Sequence, residues 1–275
     1  MANTIDHHER VLHRQARGGR VGLQVSPPAD ETQSWSGEFA FFEAGALFRG
    51  KTADNRLHRH ATVQLTIGLG GPVTMRMGGA ASVLRSGRAL VVRPEVPHAL
   101  QPGPRVLLAL LEPQTRLARQ LLDAVGPSGV SELPISLLAR IDTTGPLAGA
   151  LDALRTAPDA GGPVDARLDI ALRFMAEGSG PRLVERAAQA CGLSVSRLRA
   201  LARARLETPP ARWLMLRRLH RASHSLASGS SLADAALAAG FADQAHMGRS
   251  MRRVFGVTPA TVAAMVRSGC NGSSP

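Results

Sequence analysis

After a polar N-terminal segment, the first part of the chain consists of short apolar runs. Between residues 35 and 111 these runs are separated by turn residues, such as Gly70-Gly71-Pro72 and Pro102-Gly103-Pro104. Short runs at close spacing with Gly and Pro between them predict the strands of a small barrel or sandwich. The predicted strands are Phe39–Phe48, Val63–Leu69, Val73–Met77, Ala89–Val92 and Val106–Leu111.

The apolar period changes to that of a helix after residue 111. Thr115–Val125 and Pro146–Leu154 both carry leucines at helical spacing. The pattern fits helices that pack on the outside of the barrel, and it fits helices that join two copies of the chain. Residues 158–163, which contain Gly161-Gly162, predict a linker.

From residue 164 onward the pattern is helical throughout. The fourth predicted helix carries Trp213, Leu216 and Leu219 on one face and is long enough to join two helix-turn-helix units. At ~1.5 Å per residue it spans ~27 Å, which is near the ~34 Å between successive major-groove faces on one side of DNA. The predicted helices are 164–177, 181–190, 195–206, 210–227, 231–239, 243–255 and 259–267.

Gly240–Pro259, which reads GFADQAHMGRSMRRVFGVTP, predicts the second half of a helix-turn-helix. Asp243 can cap a helix, because its carboxylate can accept amide hydrogens of the first turn. Gly256 and Pro259 predict the end of this helix and the start of the next. Met247, Met251, Val254 and Phe255 form the predicted inner face. The opposite face suits a helix in the DNA major groove and consists of Gln244, Ala245, Gly248, Arg249 and Arg252.

A first helix-turn-helix is predicted at Leu183–Leu206. Ala188, Gly192 and Leu198 have the required spacing, since a small residue lets the helices approach and glycine takes the turn. Ser194 is the predicted cap of the second helix. Each arginine on that helix can read a guanine or can hold only a phosphate. The outward-facing candidates are Ser196, Arg197, Arg199 and Arg203.

The Gly240–Pro259 block resembles the C-terminal signature of the AraC/XylS transcription regulators. Gly240-Phe241, Asp243-Gln244, Arg249 and Phe255-Gly256-Val257-Thr258-Pro259 match the pattern of that family. The chain departs from it at His246-Met247 and Met251, and in the first unit at Ala202 and Glu207, where an aromatic residue and a glycine are usual. The resemblance implies DNA contacts by Ser196, Arg197, Arg199, Arg203, Gln244, Ala245, His246 and Arg249.

The earlier segment His58-Arg59-His60, with Gln64 and later His98, resembles the two-part motif of cupins, which often precede AraC-type DNA-binding domains. On a strand, His58 and His60 would point to one face, and His98 would arrive from a neighbouring strand. Metal-binding cupins usually supply an acid where this chain has Gln64, and an amide is a weaker ligand for a divalent cation. The cluster therefore predicts either an altered divalent-metal site or the wall of a small-molecule effector pocket.

Charge separates the two halves of the chain. Residues 166–275 contain sixteen arginines and six acids, whereas residues 1–165 contain seventeen basic and fifteen acidic residues. A basic excess confined to the C-terminal part is typical of a phosphate-binding domain. Two cysteines, no apolar run of membrane-spanning length and a polar start without a signal-peptide core predict a cytoplasmic protein.

The sequence thus predicts an α+β protein with two domains. The predicted divisions are a disordered tail at 1–34, a cupin-like sensor and dimerisation domain at 35–160, and a DNA-binding domain at 164–270. The predicted function is effector-controlled transcription regulation without catalysis, with double-stranded DNA, a homodimer partner and, for an activator, RNA polymerase as partners. Two alternatives are a metal-dependent cupin enzyme with a DNA-binding appendage and a constitutive DNA-binding protein whose barrel only dimerises.

Overall fold

The computed structural model describes residues 35–42, 45–53, 56–77, 80–155 and 165–270. The predicted tail at 1–34 and the predicted linker at 158–163 lie outside these residues. Residues 35–155 form a β-rich region and residues 165–270 form a helical region. No helix in the described residues is both long enough and apolar enough to cross a bilayer.

The β-rich region contains two antiparallel sheets. Six strands form one sheet in the order β1-β2-β8-β3-β6-β9, and three form the other in the order β5-β4-β7. The strands are β1 Ser36–Phe42, β2 Gly45–Thr52, β3 Val63–Gly68, β4 Val73–Met77, β5 Ala80–Leu84, β6 Ala89–Val92, β7 Ala99–Leu100, β8 Gly103–Leu111 and β9 Val130–Glu132.

The six-stranded sheet is covered on both faces. Phe48, Met75 and Leu100 belong to an apolar core between the two sheets. Leu65 and Leu121 belong to a second core between the large sheet and the helices that follow it. Every residue of β3 is therefore buried, which is why this strand reads as a continuous apolar run and not as an alternating one.

The strand predictions need correction in two respects. The run Phe39–Phe48 is not one strand, because β1 and β2 pair as a hairpin from Ser36 opposite Lys51 to Phe42 opposite Gly45. A side chain at Gly45 would collide with the Leu110 carbonyl of β8 at 1.9 Å, so this glycine allows close strand pairing. The sequence prediction also missed β5, β7 and β9, which are short or lie in a segment that was predicted to be helical.

The helices after the sheets are shorter than predicted. They are α1 Arg116–Val125, α2 Ile135–Leu138 and α3 Asp152–Arg155. The predicted helix at Pro146–Leu154 is instead a 3₁₀ turn, Leu147–Gly149, followed by α3. Its leucines and those of α1 are buried in the core against the large sheet. They pack within the chain, as one of the two interpretations of their spacing predicted.

All seven predicted C-terminal helices are present within three residues of their predicted bounds. They are α4 Ala166–Glu177, α5 Leu183–Ala190, α6 Val195–Leu206, α7 Pro210–Ala227, α8 Leu232–Ala238, α9 Gln244–Phe255 and α10 Pro259–Cys270. Trp213 on α7 belongs to the core of the first helix-turn-helix unit, and Leu219 and Leu226 belong to that of the second. The eighteen-residue α7 therefore joins the two units, as predicted.

Candidate functional sites

The second helix-turn-helix unit exposes one face of the first two turns of α9. The Asp243 carboxylate accepts a hydrogen bond from the His246 amide at 2.6 Å and caps the helix as predicted. Gln244, Ala245 and Arg249 are exposed. His246 is half-buried, with its ring edge-on to Phe241 at a centroid distance of 5.3 Å. These four side chains lie on the part of α9 that can enter a groove.

The predicted placement of Gly248 on the exposed face is wrong. Gly248 is buried, and a side-chain carbon added there would lie 3.7 Å from Pro259 at the start of α10. Glycine here allows α9 and α10 to approach, so it serves packing. At the other end of the helix, Gly256 has φ +71° and donates to the Arg252 carbonyl, which confirms the predicted stop.

The first helix-turn-helix unit has the predicted turn and cap. Gly192 adopts φ +68°, and the Ser194 hydroxyl accepts a hydrogen bond from the Arg197 amide at 3.2 Å. Ala202, in place of the usual aromatic residue, is buried in the core of this unit. The predicted DNA-contacting side chains of α6 are all exposed, and they are Ser196, Arg197, Arg199 and Arg203.

Three histidines and a glutamine meet inside the β-rich region. His58 and His98 form an isolated antiparallel bridge, with main-chain hydrogen bonds of 3.0 and 2.9 Å. This pairing brings residues that are forty positions apart side by side. His60 and Gln64 complete the cluster, and each of the four is buried. The predicted position of His58 and His60 on one strand is wrong, because both precede β3, but their rings converge as predicted.

The imidazole rings have ordered hydrogen-bond partners. His58 Nδ1 lies 2.8 Å from the Arg56 carbonyl oxygen, and His98 Nδ1 lies 2.9 Å from that of Val96. His60 Nδ1 lies 2.6 Å from the Thr62 hydroxyl oxygen. On their other side, His60 Nε2 and His98 Nε2 lie 3.1 and 3.0 Å from Gln64 Oε1. One ring nitrogen from each histidine lies within 4.8 Å of the others.

Burial lowers the pKa of all three histidines. Desolvation is the largest cause in each case, and it lowers the pKa of His98 to about 4 and that of His60 well below its usual value. The pKa of His58 is lowered by the same cause. The rings are therefore neutral near pH 7, and neutral imidazole is the form that binds metals.

A cavity of about 80 Å³ opens beside this cluster and is shared by the two regions. His58, His60 and Gln64 line it from the β-rich side, together with the aromatic rings of Trp35, Phe39 and Phe48. The helical region contributes His220 and Ser223 of α7, Phe255 of α9, the following Val257, and Val262 of α10. We call this space the shared cavity. A molecule bound there touches the histidine cluster and three helices of the second helix-turn-helix unit.

A set of polar contacts, which we call the polar clasp, holds α7 against the β-rich region. The Glu112 carboxylate, at the end of β8, is buried and accepts hydrogen bonds from Arg217 at 2.6 Å and from His220 at 3.3 Å. Beside it, Trp213 Nε1 donates to Gln114 Oε1 at 3.0 Å. Burial by itself would raise the pKa of Glu112, but the hydrogen bonds and positive charge of His220 and Arg217 outweigh it and lower the pKa.

The polar clasp continues at the junction of α6 and α7. Glu207 forms a two-pronged ion pair with Arg93, in which Arg93 Nε lies 2.9 Å from the carboxylate. Glu95 accepts a hydrogen bond from Thr208 at 2.8 Å and pairs with Arg212 at 2.9 Å. Glu95 and Glu207 both have positive φ, of +65° and +57°. Strained backbone of this kind persists only where surrounding contacts hold it, and it is common at functional sites.

Sequence reasoning missed the polar clasp. Glu112, Glu95 and Arg93 lie about one hundred positions from their partners, so no local spacing reveals the pairs. Glu207 was the one available signal, because a charged residue replaces the glycine that is usual at a helix end with left-handed backbone.

Two family models match the chain. An AraC-like ligand binding domain matches residues 46–173, and a helix-turn-helix domain matches residues 187–265. No protein among curated proteins matches. Side by side, the two matches cover most of the chain and reproduce the predicted order of sensor and DNA-binding parts.

Solved structures of ToxT share the fold over both regions. An apo variant of ToxT from Vibrio cholerae is 9% identical, with a TM-score of 0.56 over 85% of this chain and 100% of that one. Wild-type ToxT with an unsaturated fatty acid bound is 10% identical, with a TM-score of 0.55 over 85% of this chain and 97% of that one. An AraC-type regulator from Chromobacterium violaceum is 27% identical over 37% of this chain and 92% of its own, with a TM-score of 0.35.

The exposed faces of α6 and α9, the long helix between them and the two adjoining family matches agree with one another. The chain belongs to the AraC-type transcription regulators, with an AraC-like ligand-binding domain followed by a helix-turn-helix DNA-binding domain.

Proposed function

We propose that a small, mostly apolar molecule bound in the shared cavity sets the affinity of α6 and α9 for operator DNA. One observation carries this proposal: the cavity wall is built from the ligand-binding region and from α7, α9 and α10 together. Phe255 lies on the wall at the end of α9, and Gln244 begins the same helix at its DNA-facing end. The effector and the operator therefore act on one rigid helix about 18 Å long.

The wall of the cavity defines the class of effector. Its aromatic and aliphatic side chains suit an apolar body, and the imidazole and amide groups of His58, His60 and Gln64 suit one polar group. His220 Nδ1 is bonded to Glu112, while its buried Nε2 has no partner among the described residues. This nitrogen is a second attachment point for a polar group, on the DNA-binding side. The fatty acid held by ToxT has the same division into apolar body and polar head.

The small size of the cavity couples effector binding to a movement of the helices. An engineered apolar cavity of about 150 Å³ binds benzene, whereas the shared cavity measures about 80 Å³. A larger effector must displace α7, α9 or α10 from the β-rich region. Such an effector binds the displaced arrangement more tightly than the closed one, and this difference in affinity is what shifts the equilibrium between them.

A ligand screen tests the proposal. Purified protein is screened by thermal shift against fatty acids, aromatic acids and their uncharged alcohols, because a molecule that binds only the folded state raises the melting temperature. Genomic footprinting supplies the operator, and operator affinity is then measured with and without each hit. Phe255→Trp, which fills the cavity, is expected to abolish both the thermal shift and the DNA response. A hit whose effects survive this substitution would place the effector elsewhere.

Arg249→Ala tests the DNA-facing surface. Arg249 is exposed on α9. If it reads a base, the substitution is expected to weaken operator binding by about 1–3 kcal/mol while leaving random DNA unaffected. Equal losses on both DNAs would mean that it holds phosphate. Arg173→Ala is the control, because Arg173 lies on α4, outside both recognition helices, where it is exposed and pairs with Asp169.

Glu207→Gly removes a side chain of the polar clasp and leaves the positive-φ backbone at this position in place. Glycine accepts φ +57° without strain, so the helix end remains while the ion pair with Arg93 is lost. We expect little change in the melting temperature but a larger fraction of protein in the displaced arrangement, and hence a smaller operator response to effector. Arg93→Gln should reproduce this result, measured by operator titration with and without effector. An unchanged response in both variants would remove this pair from the coupling.

The alternative of a metal-dependent cupin enzyme draws on the histidine cluster. Among the described residues, no carboxylate joins the three histidines. The regulator fits both family matches better. Homodimerisation and contact with RNA polymerase stay predictions, and a dimer must use surfaces other than the buried leucines of α1.

A further inference from the structure

We propose that a groove between the two helix-turn-helix units binds phosphate groups of the DNA backbone through Arg182, Arg218 and Arg221. Arg182 precedes α5 and the other two arginines lie on α7, so all three are additional to the DNA contacts predicted on the recognition helices α6 and α9. The proposal rests on DNA binding by those two helices and does not depend on the effector.

The groove consists of two adjoining depressions that share Gly180 and Arg218. One depression, of about 440 Å³, lies among α5, α6 and α7. The other, of about 520 Å³, extends to the start of α9. We call the two together the inter-unit groove. Arg199 and Arg203 of α6 line one end of it and His246 of α9 lines the other, so it runs from one recognition helix to the other.

The position of the inter-unit groove determines its ligand. Both of its ends carry side chains that are predicted to contact DNA, so it opens on the DNA-facing surface. Two recognition helices on one side of DNA enter major-groove segments that lie ~34 Å apart. The sugar–phosphate strands between those segments must then cross the surface between the helices. The group that meets the inter-unit groove is therefore a phosphodiester.

The charge of the groove suits that ligand. Its first depression is lined by four arginines, and Glu185 is the one acid in that lining. A guanidinium group can donate two parallel hydrogen bonds to phosphate oxygens, which makes arginine a good phosphate ligand. The four arginines are Arg182, Arg199 and Arg203, which are exposed, and Arg218, which is half-buried.

Arg218 and Arg221 lie one turn apart on α7, and both line the second depression. Burial, followed by the positive charges of Arg218 and Arg217, lowers the pKa of Arg221, although an arginine stays protonated near pH 7. Arg221 donates to the Ala176 carbonyl at 3.2 Å, while its buried Nε has no partner among the described residues. The two guanidinium groups therefore repel each other, and an anion held between them offsets this repulsion.

The backbone around the groove leaves these arginines accessible. A side-chain carbon at Gly240, which has φ +81°, would lie 3.7 Å from Arg218 Nε, so glycine keeps that side of the guanidinium open. On the opposite wall, Arg186 donates to the Ser179 carbonyl at 2.9 Å and fixes the turn between α4 and α5. Arg182 ends this turn with φ +50°, and strained backbone of this kind persists only where surrounding contacts hold it.

The salt dependence of DNA binding tests the phosphate contacts. The full-length protein is titrated without effector on random DNA and on the operator located by footprinting. Each phosphate contact contributes about 0.9 to the slope of log affinity against log salt, so Arg218→Gln should lower the slope by about that amount on both DNAs. Its loss of affinity should be about 3–4 times larger at about 50 mM than at about 200 mM salt.

Matched variants separate the contact from a change in structure or in total charge. Arg218→Lys keeps the charge and should keep the slope. Arg182→Gln should lower the slope as Arg218→Gln does, and Arg182 is exposed, so this test remains if Arg218→Gln fails to fold. Arg173→Gln removes the same charge from an exposed site on α4 and should leave the slope nearly unchanged.

Uncharged DNA linkages identify the phosphates. Methylphosphonates replace the phosphodiesters midway between the two protected major-groove segments of the operator. We expect this change to weaken binding by the wild-type protein and to have little further effect on Arg218→Gln, because that variant has already lost the contact. Equal losses in both proteins would show that Arg218 does not hold these phosphates, which overturns the proposal.

The remaining outcomes also decide the matter. Unchanged slopes in Arg218→Gln and Arg182→Gln overturn the proposal, and so does an equal fall in Arg173→Gln. A loss confined to the operator would mean that Arg218 reads a base and does not hold a phosphate. Wild-type protein that binds operator no better than random DNA would contradict the recognition helices themselves. Because no measurement uses effector, a failed phosphate site leaves the proposed regulation through the shared cavity intact.

Discussion

A fragment of residues 164–275 is expected to bind operator DNA with no dependence on effector. It retains both helix-turn-helix units and their two apolar cores, but it lacks every residue that the β-rich region contributes to the shared cavity and to the polar clasp. Loss of the whole response is the largest functional change that we predict. The measurement is operator titration of the fragment and of the full chain, with and without a hit from the ligand screen.

The fragment also separates coupling from dimerisation. If the β-rich region dimerises the protein, the fragment should lose affinity mainly on DNA with two half-sites and keep its affinity on one half-site. The control is the full chain with Phe255→Trp, which keeps the β-rich region but fills the cavity. A fragment that still responds to effector would place the sensing site in the helical region and overturn the proposed division of roles.

Glu112→Ala is expected to cost about 3–5 kcal/mol of unfolding free energy, because it removes the buried member of an ion pair and leaves the partly buried Arg217 and His220 without their counter-charge. The Glu112 side chain is 1% exposed, while those of Arg217 and His220 are 30% and 13% exposed. Partial exposure of Arg217 favours the lower end of that range. Urea unfolding measures the loss, and operator titration should show a weaker effector response, since His220 also lines the shared cavity.

The Glu112 carboxylate also predicts a direction of pH dependence. Its pKa is lowered in the folded protein by His220 and Arg217, against the opposing effect of burial. A carboxyl group whose pKa is lowered by folding stabilises the folded protein at pH values above its pKa in the unfolded chain, which is about 4.3. This contribution to the free energy of unfolding is lost as the pH falls from that value through the pKa of the group in the folded protein. Below about pH 4, wild-type protein should therefore lose more stability per pH unit than Glu112→Gln.

An exposed ion pair provides the control for Glu112. Arg88 and Glu132 pair across β6 and β9 at the surface, where solvent screens the interaction. Glu132→Ala is expected to leave the urea midpoint and the effector response nearly unchanged. If Glu132→Ala loses as much stability as Glu112→Ala, then burial and the contact with α7 do not explain the contribution of Glu112.

The sequence predicted the helical region well because its signals are local. Caps such as Asp243 and Ser194, stops such as Gly256, and apolar spacing along α7 act within one or two helical turns. The exposed candidates on α6 and α9 follow from the same periodicity. The exception is Gly248, whose burial depends on the approach of α10 and not on the face of its own helix.

The β-rich region was harder, because strands are stabilised by partners that are distant in sequence. The hairpin inside Phe39–Phe48 and the short strands β5, β7 and β9 form only where other strands pair with them. The histidines were chosen correctly as a group, but the main-chain bridge that brings His58 to His98 joins distant residues, and Nδ1 contacts with nearby carbonyl oxygens orient the two rings.

By itself, then, the sequence determined the DNA-binding helices, their caps and the basic charge of the C-terminal part, since periodicity, capping and charge are properties of neighbouring residues. Only the tertiary structure decided where the two regions meet. Glu112 and His220 are 108 positions apart, and the shared cavity draws its walls from both ends of the described chain. Contacts over such separations depend on how the cores pack, and no local pattern of residues encodes them.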